Sequence, residues 1–491
     1  MRHSPDVLDY DGVFPSKRSR SADAESMGKG VFKEIDLDKP SQQPPAKVSE
    51  KDKKDEKPSF MEVEAGQWQA KRGHGLTFAL LFLFSIVLYF RPYELIPGLS
   101  GFKTMAFWVG IVTLTVYFVT QLAVEGNLTA RPREVNMILL FGIAGLLSIP
   151  FAIDPSEAWN TFVDFLIKTI LIFIVLVNVV RTEMRMKLLI YLALAVSIYL
   201  CIHLIGDYRA GIFKIGAEET NTQRVAGAIR GLFDNSNDLA LHLVTMIPLA
   251  FVLGLENKNP LRKVIFWGTT LLMIAAVIIT FSRGGFIALI IMALVLVRKI
   301  GRRNKSAALG ALVLGVVFFI AVMPGAYAGR LATIFDSASD ITGSSSQRTV
   351  VLKRSVLVAL RYPIFGVGLG NFHHKSEQEL GTHNAYTQVA AECGIAAMVF
   401  YIIFLVHPLR KLRMIEREMF ERNENSRYYY LVIGIEASII GYMVASFFAA
   451  VAYQWYAYYL VAYAIALRRI YYLREEKKSA PAGADLRSNS V

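Results

Sequence analysis

One histidine stands out as a candidate for proton transfer, because it lies where an apolar run begins. His383 precedes that run directly, and Asn384 follows it. A histidine at a boundary with water is well placed as a general base, since its pKa lies near neutrality. Histidine and asparagine can also stabilise the first turn of a helix, which is a purely structural role. Both roles are open for His383 on spacing alone.

Arginines offer a second kind of chemistry, the binding of phosphate. Arg283 lies in the segment TFSRGGFIAL, where the pair Gly284–Gly285 would let the backbone turn sharply and approach a ligand. A guanidinium beside exposed amides suits a phosphate, and contact with lipid headgroups is the alternative. Arg224 and Arg230 stand before another apolar run, in QRVAGAIRGLFDNSNDLALHL. We interpret these arginines as candidate anion-binding residues.

Several polar residues fall near or within apolar runs, where they are costly. Lys168 and Asp164 are four apart and could pair on one helix face, so Lys168 is either functional or a snorkelling lysine. Glu392, Glu436, His203 and His242 are expected to form hydrogen bonds inside a helical bundle. Cys201 and Cys393 give neither a disulfide framework nor metal-ligand spacing.

Composition predicts the elements that position these residues. The chain is 54% hydrophobic and 19% charged, which is too little charge for a soluble protein of 491 residues. Its net charge of +13 comes largely from basic clusters between apolar runs, a membrane pattern that argues against nucleic-acid binding. The sequence predicts an all-α polytopic membrane protein with about twelve transmembrane helices. The predicted spans are 75–91, 100–122, 136–152, 161–180, 187–206, 236–255, 263–281, 284–298, 306–325, 384–408, 429–449 and 452–468.

The basic clusters also predict an orientation. They fall on one side of the twelve runs, which is then the cytoplasm, and both termini lie inside. Loops 207–235 and 326–383 then face the periplasm, and the larger is expected to hold short helices. Within it, SSSQRTVVLKRSVLVALRYP predicts an amphipathic helix along the membrane surface, with Arg348 on its basic side. Arg224, Arg230 and Arg348 then add outward positive charge beside the bilayer.

The predicted domains follow from the same pattern. Residues 1–74 are polar and form a predicted disordered cytosolic tail. Residues 75–468 form the transmembrane domain, and residues 469–491 a C-terminal cytosolic tail. The glycine-rich GVGLGNF does not stand between a strand and a helix, so a dinucleotide site is not expected.

The chain resembles the O-antigen ligase family, which includes polymerases and O-oligosaccharyltransferases. The resemblance covers roughly residues 90–465, and Ala397 is a mild departure from the family pattern. FDNSNDLAL and RPYEL are also similar to O-glycosylation ligases associated with exosortases. The matching stretches are Ser282–Gly285, Gly231–Leu241, Pro363–Phe372, Asp154–Trp159, and His383–Asn384 followed by Gly394.

The resemblance implies glycosyl transfer at the periplasmic face of a bacterial inner membrane. The donor would be a glycan on undecaprenyl pyrophosphate, and the acceptor a hydroxyl of a glycolipid, a glycan or a protein. Arg283, with Arg224 or Arg230, would hold the pyrophosphate, and we count Arg348 and Lys168 with them. His383 would activate the acceptor, and direct displacement should invert the anomeric centre. Neither a metal nor any other cofactor is implied.

Two alternatives remain. A polysaccharide polymerase belongs to the same family and differs in its acceptor. A transporter or flippase belongs to another class, in which repeats or broken helices with midplane polar sites are expected. The sequence has no clear internal repeat, and its polar residues gather at the outer face, which favours surface chemistry.

Overall fold

The computed structural model describes residues 73–95, 98, 101, 104–212, 233, 235–303, 305–322, 344–376, 380–424 and 426–479. Within these ranges the chain is helical and contains no β-strand, which confirms the all-α prediction. The helices are α1 Gly75–Phe90, α2 Met105–Glu125, α3 Arg133–Ser148, α4 Pro155–Val179, α5 Glu183–Arg209, α6 Ser236–Glu256, α7 Pro260–Ile279, α8 Arg283–Gly301, α9 Lys305–Val322, α10 Ser344–Arg361, α11 Ala385–Cys393, α12 Ile395–Glu421, α13 Arg427–Ala445 and α14 Trp455–Ser479.

The lengths of these helices fit a multi-pass membrane protein. Nine helices among the described residues are long and apolar enough to cross a bilayer, namely α2 to α8, α12 and α13. Helix α1 and the apolar part of α9 are shorter, and α14 mixes aromatic with basic residues. Within the described residues, each of the twelve predicted runs overlaps at least one helix. The last helix continues to Ser479, beyond the predicted boundary at residue 468.

One predicted span needs correction. The run 384–408 is divided at Gly394, whose φ of 91° ends α11 and separates it from α12. A Cβ at this position would lie 2.2 Å from the Ile364 carbonyl oxygen, so a side chain has no room. The nine-residue α11 is therefore a separate short helix, and the tenth span begins at Ile395.

Several helices begin directly after a polar side chain that caps their first turn. Asp154, Asn235, Asn259 and Ser282 each accept a hydrogen bond from a backbone N–H of the first turn that follows. Such side chains satisfy donors that the helix itself leaves unpaired. Helices α6 and α13 pack against each other at the centre of the bundle and bury most of their length.

The predicted amphipathic helix is α10. Its apolar residues were expected to face the membrane surface, but some of them pack inside the protein. Val351 and Val358 are buried in a small cluster with Phe372 and Ala391, so one side of the helix packs against α11. Leu357 and Leu360 stay exposed. Helix α10 thus divides its apolar surface between the protein and its surroundings.

Candidate functional site

A single turn of 3₁₀ helix, Ser446–Phe448 at the end of α13, joins the elements that carry the predicted site. The first turn of α8 touches it, because a Cβ built on Gly284 would lie 2.5 Å from Phe448 Cβ. The first turn of α11 touches it as well, since Asn384 Nδ2 donates a hydrogen bond of 3.1 Å to the Phe447 carbonyl oxygen. Residues at the two helix starts therefore lie on either side of the Phe447–Phe448 pair.

The start of α8 is built for close packing. Ser282 Oγ accepts a 3.1 Å bond from the Gly285 N–H and donates a 2.8 Å bond to Asn237 Oδ1 at the start of α6. A Cβ on Gly285 would lie 2.6 Å from Ala240 Cβ. The glycine pair is thus helical and lets two neighbouring elements approach, which corrects its interpretation as a sharp turn. The turn itself is made by Phe281, with a left-handed φ of 54°.

Arg283 is the first residue of α8 and is partly exposed. It therefore stands at the end of α8 that carries the partial positive charge of the helix dipole. The hydrogen bond between Ser282 and Asn237 brings the start of α6 to the same place. The start of α11 reaches it through Phe447 and Phe448. The starts of α6, α8 and α11 are therefore linked to one another through Asn237, Phe447 and Phe448.

The structure assigns the N-cap of α11 to Asn384 and not to His383. Asn384 is the cap: its Oδ1 accepts hydrogen bonds from Tyr386 N at 2.9 Å and Thr387 N at 3.0 Å. Its side chain is almost completely buried. His383 stands one residue before the cap, partly exposed, with a left-handed φ of 50°. Such a φ is uncommon outside glycine, so surrounding contacts must hold the residue there.

The glycine-rich segment Pro363–Phe372 clasps α11 and α12. Val367 N and Gly368 N donate to the carbonyl oxygens of Ala391 and Glu392 at 2.9 and 3.0 Å, and Ile395 N donates to Pro363 O at 2.8 Å. Gly368 and Gly370 have φ of 99° and 75° and lie against Ala152 and Thr161. The glycines allow this tight backbone packing, because a Cβ at either position would lie less than 3 Å from a neighbouring atom.

Glu392 lies inside this clasp, at the last turn of α11 instead of in a span. Its Oε2 accepts hydrogen bonds from Tyr453 Oη at 2.7 Å and from Gly370 N at 3.0 Å. Burial raises the pKa of this carboxyl to about 7, against the effect of those two hydrogen bonds. Sequence analysis placed Glu392 in a bundle and missed its link to the glycine-rich segment.

The DPSEAW stretch, which resembles the family, caps and begins α4. Asp154 Oδ1 accepts bonds from Ser156 N at 2.9 Å and Glu157 N at 3.1 Å, and the Asp154 N–H donates to Asn371 Oδ1. Helix α4 is in this way tied to the segment that follows the clasp. The Asp–Pro pair signals a helix start, but sequence spacing gives no sign of the partner segment.

A comparison with protein families matches residues 268–402 to the family described as O-antigen ligase. This part of the chain is therefore similar to the O-antigen ligase family. No curated protein matches the chain. The matched domain runs from α7 into α12 and holds Arg283, Arg348 and His383, but Lys168, Arg224 and Arg230 lie outside it.

The predicted site residues lie on different elements of the structure. Lys168 Nζ pairs with Asp164 Oδ1 at 2.8 Å, as the spacing predicted, and lies over Phe107 on α2. Arg348 is on α10, which packs against α11. Arg224 and Arg230 lie outside the described residues. The structure thus brings Arg283 and His383 around one turn.

One basic residue near the site was missed. Arg91 follows α1 with a left-handed φ of 43°, and both Arg91 and Asp238 act electrostatically on Tyr456. Asp238 belongs to the first turn of α6, beside Asn237. RPYEL was noted as a family-like stretch, but a single arginine after an apolar run gave no functional signal. By contrast, His242 is buried and hydrogen-bonds to Ser197, as expected for a structural histidine.

Proposed function

We propose that the protein transfers a glycan from undecaprenyl pyrophosphate to an acceptor hydroxyl, at the periplasmic face of the bacterial inner membrane. One observation carries the proposal. Within the segment that matches the O-antigen ligase family, Arg283 begins α8 and His383 precedes the N-cap of α11, and both helix starts pack on the same turn, Ser446–Phe448. The acceptor is a hydroxyl of a glycolipid, a glycan or a protein.

The proposed reaction separates two tasks. As the anomeric C–O bond breaks, negative charge gathers on the departing pyrophosphate, and Arg283 at the start of α8 stabilises it. Arg224, Arg230, Arg348 and Lys168 remain proposed as further donor-binding residues. His383 takes the proton of the acceptor hydroxyl as its oxygen forms the new bond to the anomeric carbon. The displacement inverts that centre, and no step needs a metal ion.

The same chemistry would serve a polysaccharide polymerase, in which the acceptor is a second lipid-linked glycan. The site geometry is shared by the two activities. Assay of the purified protein with the lipid-linked donor and each class of acceptor distinguishes them.

Variants at His383 test the proposal. A general base contributes typically 10²–10⁴-fold to rate, so we expect His383→Ala and His383→Asn to lower transfer at least about a hundredfold. Membrane levels should stay normal, because Asn384 keeps the cap. Transfer of a radiolabelled glycan from the lipid-linked donor in detergent is the measurement. His203→Ala, at an exposed histidine that stacks on Tyr199 of α5, is the matched control. Near-normal transfer by His383→Asn would refute the assignment.

A further inference from the structure

Three metal-ligating side chains gather outside the Arg283–His383 site. They are Glu157 on α4 and His373 and His374 on the 3₁₀ turn Asn371–Lys375. We propose that they bind one divalent transition ion of the zinc class, at the junction between α4 and the segment after the clasp. Sequence analysis did not identify this cluster, because Glu157 and His374 are 217 residues apart.

The separations between the ligand atoms suit a single ion. One atom from each side chain lies within 4.8 Å of the other two. His374 Nε2 is 3.1 Å from Glu157 Oε2, and His373 Nδ1 is 3.7 Å from Glu157 Oε1. Bonds of about 2.0–2.2 Å to Zn²⁺ in tetrahedral geometry place neighbouring ligand atoms roughly 3.4 Å apart. Small side-chain rotations suffice, together with release of the 2.9 Å hydrogen bond between His373 Nδ1 and the Gly370 carbonyl oxygen.

The supporting backbone holds the ligands in place. Asp154 caps α4 and so fixes the turn that carries Glu157, and its own N–H donates to Asn371 Oδ1. Asn371 is completely buried and is the first residue of the 3₁₀ turn that carries the two histidines. The rings of His373 and His374 lie with centroids 4.0 Å apart and both face Glu157. A site fixed by such outer contacts loses little side-chain freedom on binding.

The ligand types select the class of ion. Imidazole suits zinc, copper, nickel and cobalt, whereas calcium and magnesium prefer sites made of oxygen ligands. Two histidines and one carboxylate leave a fourth position for water, and all three side chains are partly exposed, so an ion can enter. The ion would join α4 to the segment that follows the clasp. No transfer step depends on it, because none of these residues has a role in that reaction.

Binding of Co²⁺ and Zn²⁺ to the full-length protein tests the inference. The protein is purified in detergent without a polyhistidine tag and freed of metal. Visible absorption then follows titration with Co²⁺, and displacement by Zn²⁺ gives its affinity. We expect one equivalent of Co²⁺ to give a ligand-field spectrum that Zn²⁺ abolishes. We also expect Zn²⁺ to raise the melting temperature, since a ligand that binds only the folded state stabilises it.

Glu157→Gln and His374→Ala should each weaken binding at least about tenfold, because each removes a direct ligand. His203→Ala is the matched control, since it removes an exposed histidine elsewhere. The melting temperature of each metal-free variant shows that it remains folded. Absence of a saturable site in the wild type, or unchanged affinity in folded Glu157→Gln and His374→Ala, would overturn the inference. Transfer activity is not the readout, so the result is independent of the proposed function.

Discussion

At the residue scale, the start of α11 shows which of two neighbouring residues, His383 or Asn384, caps the helix. Histidine followed by asparagine allows either residue to cap, and only the backbone shows that both amide bonds go to Asn384. The pattern did find the histidine and Arg283, because each stands where an apolar run begins. It could not find the partner of Glu392, because Gly370 approaches that carboxyl through a fold-dependent loop.

Substitution of Arg283 tests its proposed role in binding the donor pyrophosphate. Arg283→Ala should lower transfer by about 10²–10³-fold, the usual effect of removing one preorganised charge-stabilising group. Arg283→Lys should recover only part of that loss, since lysine lacks the planar fork that binds phosphate through two bonds. Transfer is measured with the labelled lipid-linked donor. Arg361→Ala, which removes an exposed arginine at the end of α10, is the control. Wild-type transfer by Arg283→Ala would contradict the assignment.

At the element scale, the short α11 is what sequence analysis could not predict. Residues on both sides of Gly394 are apolar, so hydropathy continues across the break. The glycine ends the helix because its φ is positive and because Ile364 O fills the space of a side chain. The glycine-rich segment was visible in the sequence, but its contacts with α11 and α12 were not. A glycine-rich motif predicts a tight turn, but only the fold shows which helices that turn contacts.

The buried Glu392 in this clasp predicts a pH dependence of stability. Its folded pKa of about 7 lies above the ordinary 4.5, so the folded state holds this proton more tightly than the unfolded state. The resulting stabilisation is complete at low pH and is lost as the pH rises through about 7. We therefore expect the melting temperature to fall between about pH 5 and about pH 8, and to fall less in Glu392→Gln. Tyr453, Gly370, His373 and Glu157 also act on this carboxyl.

Differential scanning fluorimetry in detergent measures this difference. Glu421→Gln is the matched control, because Glu421 lies at the end of α12 with most of its side chain exposed. The control should keep the wild-type slope of melting temperature against pH. Equal slopes for the wild type and Glu392→Gln would show that this carboxyl does not titrate as inferred.

At the scale of the whole molecule, hydropathy gave the element list well, because each span must bury about twenty apolar residues. It did not show which carboxylates the residues of the basic clusters bind. Lys299 Nζ bonds to Glu416 at 2.9 Å and to Glu436 at 2.7 Å, and Arg413 bonds to Glu436 at 2.8 Å, which ties α8, α12 and α13 together. Residues counted for orientation thus also neutralise buried carboxylates.

This network predicts a strong effect on stability. Lys299→Met should lower the free energy of unfolding by about 3 kcal/mol, because it removes a cation from two buried carboxylates. Arg417→Met removes an exposed ion pair with Glu421 and should have little effect. Thermal unfolding in detergent compares the two variants. Equal melting temperatures would mean that Arg302 and Arg413 compensate for the lost lysine.

The orientation of the bundle is the last prediction. It rests on the basic clusters, which the positive-inside rule assigns to the cytoplasm. With that orientation, the turn Ser446–Phe448 and the starts of α8 and α11 face the periplasm, where a lipid-linked glycan is available. We expect a reporter that works only in the periplasm to be active when fused at Glu218, Ser344 or Glu379, and inactive at Asn304 or Asn423. The Asn423 fusion, between α12 and α13, is the most informative, because it tests the end opposite Arg283 and His383. Activity at Asn304 or Asn423 would invert the bundle and place the proposed transfer on the cytoplasmic side.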